Sequence, residues 1–578
     1  MTYPSIKDKN FYKKINKKYK YYYINKKRTS LKKLCFPKNY KLQTPQKFIS
    51  KYINPNTNYK GILIFHRLGS GKTCTAIRVG ETWKKFRKII VVLPAALKGN
   101  FRNELRTKCA KNTYISDKNR EKLRNTHPSS KEYKNIIKDS DKKIDVYYEI
   151  YSYNKFIELC INNEISFRNK ILIIDEIQNM ISEKGIYYSI LSEKINNSPN
   201  SLRIVLLSAT PMFDKPLEMA LTMNLLKLKK QFPTTMSKFE KMFIKKRKRG
   251  SKIYYSAKNL DLFKEYIKGY ISFFKGAPEI AFPKKKIRYV LCNMSSFQYN
   301  SYITVKKNEE NKSSINSIKN LSKLSDGNLN ELPNSFFIGT RIISNVSFPN
   351  KCIGEKGFSS FNGDYLEMKK LKKYSIKFFK LLTKIKRQSG TIFIYSNFKE
   401  LGGIRSFVKV LEYHGYKNYL KHGEGYRRFA IWSGDEKHEI KEEIKEVFNN
   451  YRNKKGSRIK ILLGSPSIKE GVSLLRVQSV HILEPYWNKS RVEQVIGRAV
   501  RFCSHKDMDP DKREVKIYLY ISIHKNEKMT VDQYINKMSI RKNRLVKEFE
   551  LAIKESAVDC ELNNELNTHK GEQKIICA

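Results

Sequence analysis

The chain has 578 residues, 40% of them hydrophobic, which is enough for several domains with buried cores. Its 116 Lys and Arg against 54 Asp and Glu give a formal net charge of +62, which favours a polyanionic partner, although a surplus of A/T-codon residues offers drift as a second origin for the lysines. Apolar runs such as Ile89–Leu97 are too short to span a bilayer, the N-terminus lacks the apolar core of a secretory signal, and nine cysteines without C-x-x-C or C-x-x-H spacing speak against a zinc cluster or a disulfide framework and for a reducing, intracellular setting.

Residues 1–40 form a basic, aromatic-rich arm whose only acid is Asp8. Aromatics between lysines suit stacking on bases, and a mobile arm of drifted composition is the plainer reading. From 41 to 216, short apolar runs ("GILIF", "KIIVVLP", "VYYEIYSY", "KILIIDE", "LRIVLLSAT") alternate with polar stretches, predicting a parallel sheet of βα units, with 117–145 as a helical or loop excursion. Residues 217–385 show no strand alternation and predict a largely helical insertion with a low-complexity, mobile segment at 306–332. The βα rhythm returns over 386–530 ("GTIFIYSNF", "IKILLGSP", "SVHILEP", "VKIYLYIS"), and 531–578 reads as a helical segment with a frayed end. The predicted class is α/β, with two parallel-sheet domains flanking the insertion.

The run "GILIF" leads into "HRLGSGKT", His66 to Thr73, and then into an amphipathic helix. Strand, glycine-rich loop and helix are the setting in which backbone N–H groups surround phosphate oxygens. Gly69, Ser70 and Gly71 form the loop, Lys72 reaches the outer phosphates, and Thr73 ligates Mg2+. The pattern G-x-x-x-x-G-K-[ST] expects glycine where His66 stands, a position that tolerates a side chain if its φ is negative. A second strand ends in Asp175-Glu176. Asp175 suits Mg2+, and Glu176 suits orientation and deprotonation of an attacking water. A third ends in "LLSATP", Leu206 to Pro211. In "QVIGRAVR", Gln494 precedes Arg498 and Arg501, which lie three apart on one helical face. Facing the loop across a cleft, they could neutralise a transferring γ-phosphate, an effect worth ~10³–10⁵ in rate. A helix-capping acid pair and an exposed arginine pair are the plainer alternatives.

The ordered set "GSGKT", "DEIQ", "SAT" and "QxxGRxxR" resembles the superfamily 2 helicases and translocases. That resemblance implies two RecA-like domains with ATP between them and nucleic acid, DNA or RNA, across the top. It also implies that Gln46 in "LQTPQ" contacts adenine and that "VVLPAAL" and Ser152–Phe156 lie near the nucleic-acid backbone. "IYSNF" matches motif IV and "KEGVSLL" matches motif V. Longer stretches, "VHILEPYWNKSRVEQVIGRAVRFCSH" foremost, with "KESAVDC" near the end, look like the branch of the poxvirus nucleoside triphosphate phosphohydrolase and early transcription factor small subunit. Within that branch the chain looks most like the helicase of yeast cytoplasmic linear plasmids, with large-DNA-virus helicases second. This implies a cytoplasmic setting and a dedicated RNA polymerase as partner. Gln178 stands where many relatives carry His, and Ser473 where many carry Asp or Asn. Both departures leave hydrolysis intact and put strand separation in question. Trp487, His481 and His505 read as structural, and Lys245–Gly250 ("KKRKRG") as a phosphate grip or a solvated basic face. Two rival functions are a transcription factor that hydrolyses ATP without unwinding, and a non-hydrolysing basic scaffold.

Overall fold

Buried runs rich in isoleucine, leucine and valine pair side by side to give the first sheet. Its strands are β1 (Gly61–His66), β2 (Lys88–Leu93), β3 (Tyr148–Ser152), β4 (Lys170–Ile174) and β5 (Arg203–Ser208). A two-stranded hairpin of β6 (Ile244–Arg249) and β7 (Lys252–Ala257) follows, and then β8 (Ile271–Phe274). The order is β3-β2-β4-β5-β1-β8 with every pairing parallel. Every residue of β1 is buried, as expected where helices cover both faces of a parallel sheet. The computed structural model describes residues 3–25, 30–37, 40–67, 69–127, 130–250, 252–312, 335–469, 472–568 and 572–578. They divide into two units: Met1–Lys246 with Tyr255–Glu279 and Arg544–Ala578, and Arg247–Tyr254 with Ile280–Asn543.

Three expectations for the first unit need correction. The helical insertion predicted over 217–385 supplies a sheet strand, because Leu63 pairs with Ile271 and the four-residue β8 is fully buried against β1. The N-terminal arm is docked rather than loose. Helix Phe11–Lys18 buries Phe11 and Ile15 completely, and Tyr19, Phe48, Tyr52 and Tyr59 join the same core, with Tyr52 and Tyr59 stacked at 4.2 Å. The C-terminal segment also packs. After the 25-residue helix Val531–Glu555, Val558 N–H donates to Ile271 O at 2.8 Å, helix Cys560–Asn567 follows, and Ile575 is buried.

The second unit holds β9 (Lys284–Asn293), β10 (Thr391–Tyr395), β11 (Lys417–Asn418), β12 (Arg428–Trp432), β13 (Ile461–Gly464), β14 (Val477–Ile482) and β15 (Glu514–Ile523). Their order is β11-β12-β13-β10-β14-β15-β9, again all parallel. Side chains alternate between two cores. Ile392, Ile394, Ile461 and Leu463 serve one face, and Phe393, Leu462 and Val480 serve the other. Here too the expected insertion contributes, as β9 forms the edge beside β15. Of the segment predicted to be mobile, 306–312 continue helix Ser296–Lys312, and 313–332 lie outside the described residues.

Cysteine spacing gave no sign of cross-links, yet Cys74 bonds Cys109 and Cys560 bonds Cys577, partners 35 and 17 residues apart that only the tertiary fold brings together. Among the described residues no helix is long and apolar enough to cross a membrane.

Candidate functional site

The phosphate-type loop joins the end of β1 to helix Lys72–Trp83, with Leu68 outside the described residues. Gly69 and Gly71 adopt φ of 81° and 77°, the left-handed region that glycine enters without steric cost. A Cβ on Gly71 would also lie 2.6 Å from Gln46 Nε2. Gln46 is buried. Its Oε1 accepts from Gln43 N–H at 2.8 Å and its Nε2 donates to Gly71 O at 3.3 Å, so this side chain braces the loop. Ser70 Oγ is buried with no hydrogen-bond partner, an orphaned donor inside the loop that a phosphate oxygen would satisfy. Lys72 and Thr73 open the helix, where unpaired backbone N–H groups favour an anion.

His66 is accommodated by a buried chain of hydrogen bonds. Its Nε2 lies 2.8 Å from Ser272 Oγ in β8, and Ser272 Oγ donates to Asp559 Oδ2 at 2.6 Å. Asp559 also accepts from Phe273 N–H and Asn563 Nδ2, each at 2.9 Å. With the serine proton directed to the carboxylate, His66 Nε2 carries the hydrogen and donates to Ser272 Oγ. Burial, with Lys72 adding to it, pushes His66 down to about 3, so the ring is neutral. Burial raises Asp559 to about 7 against the opposing effect of its hydrogen bonds. The left-handed turns fall at Gly69 and Gly71, and His66 is not among the residues with positive φ, so the glycine missing from the pattern costs no backbone strain.

Asp175 and Glu176 follow β4. Asp175 is buried, with its Oδ1 accepting from Glu176 N–H at 2.9 Å. Glu176 has φ of 49°, a conformation that costs a non-glycine residue about 1–3 kcal/mol and persists where neighbours fix it. Tyr153 does so: its hydroxyl reaches Asp175 O at 2.6 Å and Glu176 O at 3.0 Å. Lys72 Nζ lies 3.4 Å from Glu176 Oε1. Gln178 Nε2 donates to Glu176 Oε2 at 2.7 Å, and Ser208 Oγ donates to Gln178 Oε1 at 2.7 Å. Ser208 Oγ in turn accepts from Thr210 N–H at 3.0 Å. Lysine, carboxylate, amide and hydroxyl thus form one chain from the loop to the end of β5. Burial, then the Glu176 charge, raise the Asp175 pKa, and Lys72 opposes them. The Asp175 carboxylate and the Thr73 hydroxyl on the adjoining helix are hard oxygen donors of the kind Mg2+ takes, while both Glu176 oxygens are held by Lys72 and Gln178.

In the second unit, helix Lys489–Ala499 carries Gln494 and Arg498. Arg501 lies beyond it, which corrects the expectation of one helical face: Val500 turns out of the helix with φ −91° and ψ 82°. The two guanidinium groups still converge, with each Nη1 donating to Val472 O, at 3.4 Å from Arg498 and 3.0 Å from Arg501. Glu470 and Gly471 of the expected motif V lie outside the described residues. Trp487 is buried against Tyr486, ring centroids 4.1 Å apart, with Arg341 over its face at 5.1 Å. His481 is fully buried between Ser479 and Tyr520, and His505 Nε2 donates to Val477 O while its Nδ1 pairs with Ser504 Oγ, so both are core residues. Lys245 to Arg249 lie exposed in β6.

Gln46, Gly69, Ser70, Gly71, Lys72, Thr73, Asp175 and Glu176 are therefore gathered in the first unit, and Gln494, Arg498 and Arg501 in the second. Residues 13–353 match the SNF2-related domain, and residues 375–503 match the helicase conserved C-terminal domain. The chain belongs to the SNF2-related helicase family. This helicase is 50% identical over 577 residues to R563 of Acanthamoeba polyphaga mimivirus, which carries the name of an ATP-dependent RNA helicase, covering 100% of this chain and 99% of that protein. It is 27% identical to L377 of the same virus over 93% of this chain and 56% of that protein. It is 25% identical to the termination factor NPH-I homolog of African swine fever virus, over 89% of this chain and 78% of that protein. Membership makes it an ATP hydrolase of superfamily 2. The parts played by Tyr153, Ser272, Asp559 and the Gln178–Ser208 link escaped sequence reasoning, although Ser152–Phe156, "DEIQ", "SAT" and "KESAVDC" had drawn attention to all of these positions but Ser272.

Proposed function

We propose that this helicase is a nucleic-acid-stimulated ATPase that translocates along a strand and acts on transcription complexes. The loop N–H groups and Lys72 hold the phosphates, and Glu176 accepts the proton of the attacking water. Gln494, Arg498 and Arg501 approach the γ-phosphate when the units close on the nucleotide, and repeated closure and reopening ratchets them along the strand. Gln46 contacts the adenine from its place beside the loop. Mg2+, held by Thr73 and Asp175, would supply charge neutralisation at the β- and γ-phosphates. The observation that carries this reading is the unbroken chain Lys72–Glu176–Gln178–Ser208, which fixes both oxygens of the base and connects it to the segment after β5.

The setting proposed is viral-type transcription, supported by the viral relatives named above; the cytoplasm and a dedicated RNA polymerase are proposed from the motif resemblance alone, and a plasmid setting has no support among those relatives. The likeness to a termination factor favours a second reading, in which hydrolysis releases transcripts without separating a duplex. A non-hydrolysing scaffold is disfavoured by the intact lysine, acid pair and arginines.

The test is ATPase activity against single-stranded DNA, duplex DNA and RNA, with strand displacement measured beside it. Stimulated turnover is expected, abolished by Lys72→Ala and by Glu176→Gln, the latter still binding nucleotide because only the base is lost. Stimulated hydrolysis with no displaced strand selects the second reading, and full turnover in either variant overturns both.

A further inference from the structure

The second sheet leaves a cleft of about 640 Å³ that none of the residues above uses. Gln388 and Ser389 precede β10, Gln478 is the second residue of β14, and Asp511 and Lys512 precede β15, so the cleft opens at the amino ends of the parallel strands. The family motifs lie at the opposite ends, where Ser396 follows β10 and Trp487 follows β14. A strand of five residues, ~16 Å, separates the two.

One wall is helix Ile376–Arg387, whose Lys380, Lys384 and Arg387 recur at spacings of four and three and so share a face. The floor is β15, where Lys516 and Tyr518 alternate onto one side, and the register sets Arg288 of β9 beside Tyr518. Several charges here are already committed. Lys380 Nζ donates to Leu291 O at 2.6 Å, Glu514 pairs with Lys286 at 2.7 Å, and Lys512 pairs with Asp509 at 2.7 Å. Of the lining cations, Lys384, Arg387 and Lys516 make no hydrogen bond or ion pair among the described residues, Arg288 stands beside the cleft on β9, and Asp511 is the one lining acid left to oppose them. Lys384 sits over the Tyr518 ring, 4.5 Å from its centroid. Burial foremost, then the charges of Arg288, Lys380 and Arg387, depress its pKa. Arg288, Arg387 and Lys516 are exposed and Lys384 is half-buried; like charges gathered around a half-buried lysine destabilise its charged form, and a bound anion removes that cost.

We propose that this cleft is a second anion site, separate from the ATP site, which takes a small ligand bearing two or more phosphate groups. The volume falls within the ~300–1,000 Å³ of small-molecule sites. Several cations arranged around one space suit several phosphates, and the planar fork of Arg387 suits one of them bidentately.

The test is calorimetric titration of the full chain carrying Lys72→Ala, which cripples the phosphate loop, with inorganic tripolyphosphate at matched ionic strength. One ligand per chain is expected, with binding weakened at least tenfold by adding Lys384→Ala and Arg387→Ala. The same loss of charge at the far edge of the sheet, K417A with K421A, is expected to leave binding unchanged, and thermal unfolding midpoints of the variants confirm that each is folded. Equal affinity in the K384A/R387A chain, or heat without a saturable stoichiometry, overturns the proposal. So does an oligonucleotide that alone responds to the double substitution, since the occupant would then be a strand.

Discussion

Gln178 is the pivot of the buried chain at the acid pair, and Gln178→Glu tests it with almost no change of shape. The isosteric carboxylate keeps an acceptor for Ser208 but can no longer donate to Glu176 Oε2, a contact of 2.7 Å. A hydrogen bond to a charged group contributes about 1.5–3 kcal/mol. Lost only where Glu176 must be held to take a proton, that energy corresponds to a fall in kcat of about 10- to 150-fold. The new negative charge beside Glu176 adds to it. Gln178→Ala should fall by a similar factor, leaving the Ser208 hydroxyl, fully buried, without its acceptor. Lys72 and the loop are untouched, so the KM for ATP should change less than threefold in both variants. Steady-state ATPase with saturating nucleic acid reads the two constants. A kcat within twofold of wild type would show that Glu176 needs no such clamp, and a rise in KM alone would place Gln178 in binding instead.

Tyr153→Phe removes a hydroxyl that holds the carbonyls of Asp175 and Glu176, so chemical denaturation should show a loss of about 1 kcal/mol and kcat should fall by less than tenfold. Ser272→Ala breaks the chain behind the loop and should raise the KM for ATP while Ser272→Thr, which keeps the hydroxyl, restores it; equal constants for the two would reduce the chain to packing. Asp559 keeps its proton to about pH 7 in the folded chain, whereas an unfolded aspartic acid releases it near 3.8. The folded state therefore binds more protons between those values, and this group's contribution makes stability fall as pH rises from about 4 to 7. Asp559→Asn should flatten that part of the profile of unfolding midpoint against pH, and an unchanged slope would assign it to other groups.

The loop and acid pair were legible because each is local: a buried strand, a turn whose geometry demands glycine, and polar residues placed within a few positions of a strand's end. His66 looked like a defect because what satisfies it, Ser272 and Asp559, lies 206 residues and more away along the chain. β8 and β9 were hidden for a related reason. They sit in a stretch dominated by helices, and β8 has only four residues, so its identity comes from pairing with β1 rather than from any alternation of its own. The arm at 11–18 read as loose because its lysines outnumber its apolar residues, yet Phe11 and Ile15, four apart, are enough to seat one face. Arg498 and Arg501 meet at Val472 O as their spacing suggested, but not on one helix, since the helix ends between them.

The most direct measurement is turnover of Arg498→Lys and Arg501→Lys beside their binding of a non-hydrolysable ATP analogue. If these arginines and Lys72 serve a single triphosphate, kcat should fall ~10³–10⁵-fold while one analogue still binds per chain. Turnover within tenfold of wild type in both variants would contradict a shared nucleotide and leave the first unit to hydrolyse ATP alone.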